Sequence, residues 1–248
     1  IKSAREIELM REAGKRLAHV HQELEAMIAP GIFTWEIDAK GEKLIRDCGC
    51  IPNFLHYNGY PASICVSVND EVVHGIPRKD RYLKEGDIVS LDAGLIYKGY
   101  HSDAARTHAV GKVSTEAQKL MDVTKQSFFE GIKMAKEGQH LHDISRAIEE
   151  YVTPYGYGIV RDLVGHGIGT ALHEDPQIPN YAQKRRGVRL QAGMTLAIEP
   201  MINAGTWQVR FLRDGWTVVT KDGSLSAHYE NTILVTDGEP VSYTHLRA

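Results

Sequence analysis

At 248 residues the chain is long enough for one large domain or two small ones. Its 29 basic and 32 acidic residues nearly balance and its mean hydropathy is −0.30, so no global field argues for nucleic-acid or membrane binding. The three cysteines, Cys48, Cys50 and Cys65, contain no C-x-x-C pair. That excludes a zinc ribbon, and the odd count fits reduced cytosolic thiols better than a disulfide scaffold.

The start, IKSAREIELMREAGKRL, is too charged for a signal peptide, and no apolar run approaches the ~18 residues that span a bilayer. A cytoplasmic globular protein is expected. From Gly31, GIFTWEIDAKGEKLIRDCG carries an amphipathic helix pattern that ends on Gly49. From Leu83, LKEGDIVSLDAGLIYKGYHSDAARTH reads as two strands joined by a turn around Lys98-Gly99. With the hairpin centred between Tyr97 and Lys98, Asp92 and Asp103 stand directly opposite each other, which destabilises a strand pair unless cations intervene.

No Pro/Gly/Ser linker marks the joint near 110–116. Beyond it, GQHLHDISRAIEEYVTPYG repeats the earlier helix pattern at an offset of 107 residues, and LQAGMTLAIEPM repeats LKEGDIVSLDAG at the same offset. Asp92 then falls on Glu199, while HGIP at His74 loosely echoes HGIG at His166. Each half reads as helix, helix, then strands. The expectation is one α+β domain over 1–248, with pseudo-symmetric halves of about 1–110 and 111–248, a curved antiparallel sheet flanked by helices, and a site in the crevice between the halves.

The acidic groups gather at the ends of apolar runs: Asp92 ends DIVSLD, Asp103 lies on the returning strand, Glu199 ends MTLAIE, and Glu230 stands in LSAHYENTILV. A half-buried lone carboxylate is costly, and Arg106 alone is too little to neutralise four. Two divalent ions balance the charge and leave room for a bridging hydroxide. Carboxylate-rich ligation with the single imidazole of His166 suits Mn²⁺, Fe²⁺ or Co²⁺, with Zn²⁺ also accommodated. GHGIGT is not a dinucleotide loop, since Thr170 breaks the G-x-G-x-x-G spacing.

The stretches GYPASICVSVNDEVVHGIP, GDIVSLDAGLIYKGYHSDAART, GHGIGTALHEDP, MTLAIEPM and DGWTVVTKDGSLSAHYENT resemble the type I methionine aminopeptidases of peptidase family M24, and the resemblance covers essentially the whole chain. It implies the pita-bread fold and removal of the N-terminal methionine from nascent chains whose second residue is small. Two divalent ions (Co²⁺, Mn²⁺, Fe²⁺ or Zn²⁺) are implied, with Asp92 on one, Asp103 and Glu230 bridging both, and His166 and Glu199 completing the other. A metal-bridging water or hydroxide attacks the first peptide bond. Glu199 passes a proton to the leaving amine, His173 donates to the developing oxyanion, and His74 contacts the substrate backbone and assists the leaving nitrogen. Tyr57, Tyr60, Cys65, Leu172 and Trp216 are implied as the methionine pocket, whose rings and thiol suit a thioether.

Leu172 departs from the Phe of many relatives, and His228 and Asn231 stand where many carry Gln and His. His228 lies two residues before Glu230, hence on the same strand face, which puts metal affinity and pH optimum in question. The rival of the same fold, a prolidase or aminopeptidase P, carries an extra N-terminal domain, whereas here the repeat begins almost at residue 1. The type II insertion has little room between Glu199 and Glu230, so a bacterial or organellar style is expected. A binding module that has lost its ligands is the non-enzymatic alternative, and five intact ligand positions argue against it. A monomer is expected, with nascent N-termini as partners and neither a membrane nor a specific nucleic-acid sequence. The basic stretch QKRRGVR offers Lys184, Arg185, Arg186 and Arg189, extended by Arg210, Arg213 and Lys221, as a phosphate contact for docking on the ribosome.

Overall fold

Period-two alternation builds the strand at the heart of the molecule. In the computed structural model, which describes residues 1–244, Val89, Leu91, Ala93 and Leu95 are buried in one apolar layer, while Ser90, Asp92 and Gly94 alternate onto the opposite face. The last residues of the expected domain, 245–248, lie outside the described residues.

Four helices cover the apolar side: α1 Ala4–Glu25, α2 Thr34–Asp47, α3 Thr115–Ile132 and α4 Leu141–Val152. Ser3 and Glu6 close the first turn of α1 reciprocally, the Ser3 N–H donating to the Glu6 carboxylate at 2.7 Å. The strands that matter for the site are β1 Ile64–Val68, β2 Ile88–Tyr97, β3 Tyr100–Ala109, β4 Gly165–Gly167, β5 Thr195–Ile198 and β6 Glu230–Leu234. They pair antiparallel in the order β1-β2-β3-β6-β5-β4 within one nine-stranded sheet.

The 107-residue offset reappears in the fold, because α2 and α4 begin at Thr34 and Leu141, and β2 and β5 at Ile88 and Thr195. Each half packs its own helices on its own strands. Leu17, Leu24, Ile37 and Ile45 meet Leu91, Ala93 and Leu95 in one cluster, and Leu120, Phe128, Ile144 and Ile148 meet Leu196, Ile198 and Ile233 in another. Each such buried side chain contributes roughly 1.5–3 kcal/mol of transfer free energy, so the sheet face away from the helices is free to carry polar groups. The β3–β6 pair joins the two halves.

The hairpin register corrects the expected opposition of the two aspartates. Tyr97 pairs with Tyr100, Asp92 with Ala105, and Asp103 with Gly94. The centre therefore lies between Lys98 and Gly99, one position later than the sequence suggests. Both residues have positive φ, 49° and 85°, the mark of a two-residue type I′ turn whose twist matches that of the strands. Asp92 and Asp103 share a face as diagonal neighbours instead of a directly opposed pair.

Candidate active site

The register places the chemistry in two adjoining rows on the sheet face opposite the apolar layer. Across one row run Cys65, Asp92, Ala105 and Glu230, and Glu199 follows Ile198, the cross-strand partner of Asn231, at the end of β5. Two residues along each strand, on the same face, come Gly94, Asp103, Thr232, Ala197 and His166. Ala105 separates Asp92 from Glu230 in the first row and Gly94 stands opposite Asp103 in the second, which leaves volume between the carboxylates. Asp103 is pinned there from both sides, its N–H donating to Thr232 Oγ1 at 2.9 Å and its carbonyl accepting from the same hydroxyl at 2.9 Å.

The glycines around His166 serve close packing. A Cβ at Gly165 would meet the Ala197 carbonyl oxygen at 2.4 Å, and one at Gly167 would meet that of Asp175 at 2.2 Å. His166 Nδ1–H donates to the Gly167 carbonyl at 2.8 Å, which fixes the tautomer and turns Nε2 with its lone pair to the acids. Nε2 lies 3.6 Å from Glu199 Oε1 and 3.9 Å from Asp103 Oδ2.

Electrostatically the cluster is incomplete by itself. Among the described residues no Lys or Arg pairs with Asp92, Asp103, Glu199 or Glu230; their ion-pair partners are histidines alone. Arg106 turns away, donating to the Ala105 carbonyl at 2.7 Å and to Asn231 Oδ1. Burial pushes the Asp103 carboxyl up to about 7. Burial, and after it the neighbouring Asp103 charge, drives Asp92, Glu199 and Glu230 well above the carboxylate range. Burial lowers His166 to about 4, so that its ring is neutral.

Asp92 Oδ1, Asp103 Oδ1 and Glu230 Oε1 are buried without a hydrogen-bond partner. Four carboxylates pressed together with idle oxygens and a neutral imidazole fit divalent cations. Donor atoms of Asp103, His166 and Glu230 lie within 4.8 Å of one another, as do those of Glu199, His228 and Glu230.

These acids floor a cavity of about 240 Å³. Every residue expected in the site lines it: Tyr57, Tyr60, Cys65, His74, Leu172, His173 and Trp216 with the four acids and one imidazole expected to hold metal. Tyr60 and Trp216 meet edge to face at 5.1 Å, and Cys65 and Leu172 are buried beside them. The Tyr57 hydroxyl hydrogen-bonds His173 Nδ1 at 2.8 Å, and the His173 ring lies 4.3 Å from that of His166.

His74 is held in the left-handed region at φ 59°, a strained conformation for a residue with a side chain. The next residue has to be glycine, because a Cβ on Gly75 would lie 2.2 Å from the Val66 carbonyl oxygen. Burial lowers His74 to about 4 and also lowers His173, so both rings are neutral.

Three participants escape the sequence reading or exceed it. Phe54 and Asn58 line the cavity from an irregular stretch without periodicity, in which His56 and Asn58 have positive φ. His228 does reach the centre, its Nε2 lying 3.7 Å from Glu199 Oε2. The basic loop is exposed at Lys184, Arg185, Arg186 and Arg189, although Arg186 is engaged by Asp143 at 2.6 Å. Arg210 stands on a separate hairpin, where the Val209–Phe211 strand pairs with Val218–Thr220.

Comparisons with known proteins agree with this geometry. The model of metallopeptidase family M24 matches residues 8–237. The methionine aminopeptidase of Clostridium acetobutylicum is 53% identical over 240 residues, which are 97% of this chain and 96% of that protein. The crystal structure of methionine aminopeptidase from Thermotoga maritima superposes with a TM-score of 0.97 at 46% identity, covering 99% of both chains. An Xaa-Pro dipeptidase from Bacillus anthracis matches at a TM-score of 0.80 and 25% identity, but this chain covers only 62% of it. Membership of the pita-bread metallopeptidases, expected from the resemblance of five sequence stretches, is thereby established: the chain belongs to metallopeptidase family M24 and, within it, to the methionine aminopeptidases.

Proposed function

We infer that the protein removes the N-terminal methionine from peptides and nascent proteins whose second residue is small, in a metal-dependent hydrolysis. The observation that carries this reading is the meeting of four uncompensated carboxylates and His166 at the floor of a cavity walled by Tyr60, Cys65, Leu172 and Trp216. Divalent ions bound there supply a Lewis acid and a water acidified to near neutrality. Two ions match the four carboxylates in charge. Asp92 would hold one, Asp103 and Glu230 would be shared, and His166 and Glu199 would complete the other. With four carboxylates and His166 as donors, Co²⁺, Mn²⁺ and Fe²⁺ are the expected ions, and Zn²⁺ also fits.

The chain's own residues divide the remaining work. The wall of Tyr60, Cys65 and Trp216 receives the methionine side chain, a thioether packing well on ring edges. His173, positioned by Tyr57, donates to the scissile carbonyl as charge develops on its oxygen. His74 faces the substrate from the side of Trp216, 6.4 Å between ring centroids, and assists at the leaving nitrogen. Glu199 accepts a proton and delivers it to the leaving amine.

The pseudo-symmetric halves act as one catalytic unit, since β3 and β6 bring Asp103 and Glu230 together from opposite halves. No helix among the described residues is long and apolar enough to cross a membrane. A cytoplasmic monomer meeting nascent chains at the ribosome, through the exposed loop at 184–189, completes the reading.

The test is a peptidase assay on Met-Ala-Ser after metal reconstitution, with metal content measured on the same sample. Metal-dependent release of methionine is expected. A protein that carries metal and releases none would refute the assignment.

A further inference from the structure

We propose that His228 is an additional metal-ligating side chain, which with Glu199 and Glu230 gives the centre a second imidazole donor for a borderline divalent cation such as Co²⁺ or Zn²⁺. The proposal rests on the metal centre of the reading above, and it adds a ligand to the expected set of five.

The spacing is that of ligands around an ion. His228 Nε2 lies 3.7 Å from Glu199 Oε2 and 3.9 Å from Glu230 Oε2. Both distances exceed the roughly 2.7–3.2 Å of a hydrogen bond. Two donors bound at about 2.1 Å to one ion stand about 3 Å apart at a right angle and about 4.2 Å apart when opposite. The two distances fall inside that window. Glu199 thus has an imidazole at each oxygen, His166 Nε2 being 3.6 Å from Oε1.

The ring is also unexplained without a partner. His228 is 1% exposed, and both of its ring nitrogens are buried with no hydrogen bond. An imidazole has a lone pair and an N–H to satisfy, and an idle buried polar group is destabilising. Thr107 holds the backbone on both sides, its Oγ1 accepting from the His228 N–H at 2.8 Å and donating to the His228 carbonyl at 2.9 Å. The ring therefore stays aimed at the acids.

A second nitrogen donor moves the preference of a carboxylate centre away from Mn²⁺ and towards ions that favour imidazole. The discriminating measurement is X-ray absorption on protein loaded with two equivalents of Co²⁺, in which imidazoles are counted by their multiple scattering. Two imidazoles per chain are expected in the wild type and one in His228→Gln. Calorimetry should show one Co²⁺ bound about 10–100-fold more weakly by His228→Gln, with a smaller loss for Mn²⁺. A wild-type count of one imidazole overturns the proposal, as does an unchanged count and Co²⁺ affinity in His228→Gln. If the variant does not fold, the wild-type count decides by itself. Two bound imidazoles in a protein that releases no methionine would support the ligand while refuting the activity.

Discussion

Asp92 and Asp103 lie on one face of a single hairpin without being paired, Asp92 opposite Ala105 and Asp103 opposite Gly94. The offset puts a methyl and a hydrogen where two anions would otherwise meet head on, and the free volume is what an ion needs. Ala105 is also the cross-strand neighbour of Glu230, so Asp103 and Glu230 converge on the same space from adjacent strands. Asp103→Ala should lower both metal content and kcat/KM by orders of magnitude while leaving the fold intact. Near wild-type activity at matched metal would show that Asp103 is not shared between ions.

Much of this arrangement is legible in the sequence because it follows from period-two alternation. DIVSLDAG announces which residues face the helices, and the 107-residue offset identifies Glu199 as the counterpart of Asp92. The hairpin centre is not legible in the same way. Lys at the first position of a type I′ turn is a weak signal compared with Asn or Asp, since positive φ is strained for it. Phe54 and Asn58 are hidden for a different reason, as they come from a loop whose path over the cavity depends on His56 and Asn58 backbone angles and on no repeating pattern. Arg106, close to the acids in sequence, is drawn off by the Ala105 carbonyl and Asn231, which only the strand register decides.

His173 tests how charge on the reacting carbonyl is met. Its ring is neutral and braced by Tyr57. His173→Ala should lower kcat by roughly 10²–10³ with metal content unchanged. Tyr57→Phe, which removes only the brace, should lower kcat less. A His173→Ala protein that loses its metal would make the ring a ligand or a support of the centre.

The acids and the histidines shift stability with pH in opposite senses. The folded pKa values of His166, His74 and His228, at about 4, about 4 and about 3, lie below the ordinary 6.5. Their contribution is present above that value and is lost as pH falls towards the folded values. Asp103, raised from 3.8 to about 7, binds more protons folded than unfolded between those values. Its contribution therefore falls as pH rises, and Asp92, Glu199 and Glu230 are raised in the same direction. Above about 6.5 the ordinary imidazole is already neutral, so only the acids act. Metal-free protein should lose Tm from pH 6.5 upwards, and the gain in Tm on adding Co²⁺ should grow over the same range. A metal-free Tm that rises with pH there would mean that the acids are not protonated in the fold.

Specificity should follow the shape of the cavity. With Tyr60, Cys65 and Trp216 as the proposed thioether pocket, Met should be favoured first, and crowding by His74 and His173 should restrict the second residue to Gly, Ala or Ser. Release from Met-Ala-Ser should exceed release from Met-Lys and Leu-Ala peptides by at least two orders of magnitude. Comparable rates on either of those would refute the pocket assignment.

Docking at the ribosome, if carried by the loop at 184–189, depends on which of its cations are free to meet phosphate. The Arg186 guanidinium already grips Asp143, with Nη2 at 2.6 Å and Nε at 3.3 Å, and the loop is tied to α4 by the His142 N–H donating to the Arg186 carbonyl at 3.0 Å. Arg186 thus shapes the loop, and the phosphate contacts fall to Lys184, Arg185 and Arg189, all exposed. Guanidinium forks meet phosphate in a bidentate manner, and binding of this kind weakens steeply with salt. A variant with Lys184, Arg185 and Arg189 all changed to Ala should cleave Met-Ala-Ser normally and co-sediment poorly with ribosomes at low salt. Arg186→Ala should disturb the loop instead, with a smaller change in the salt dependence. Undiminished co-sedimentation of the triple variant at low salt would leave the loop without a part in docking.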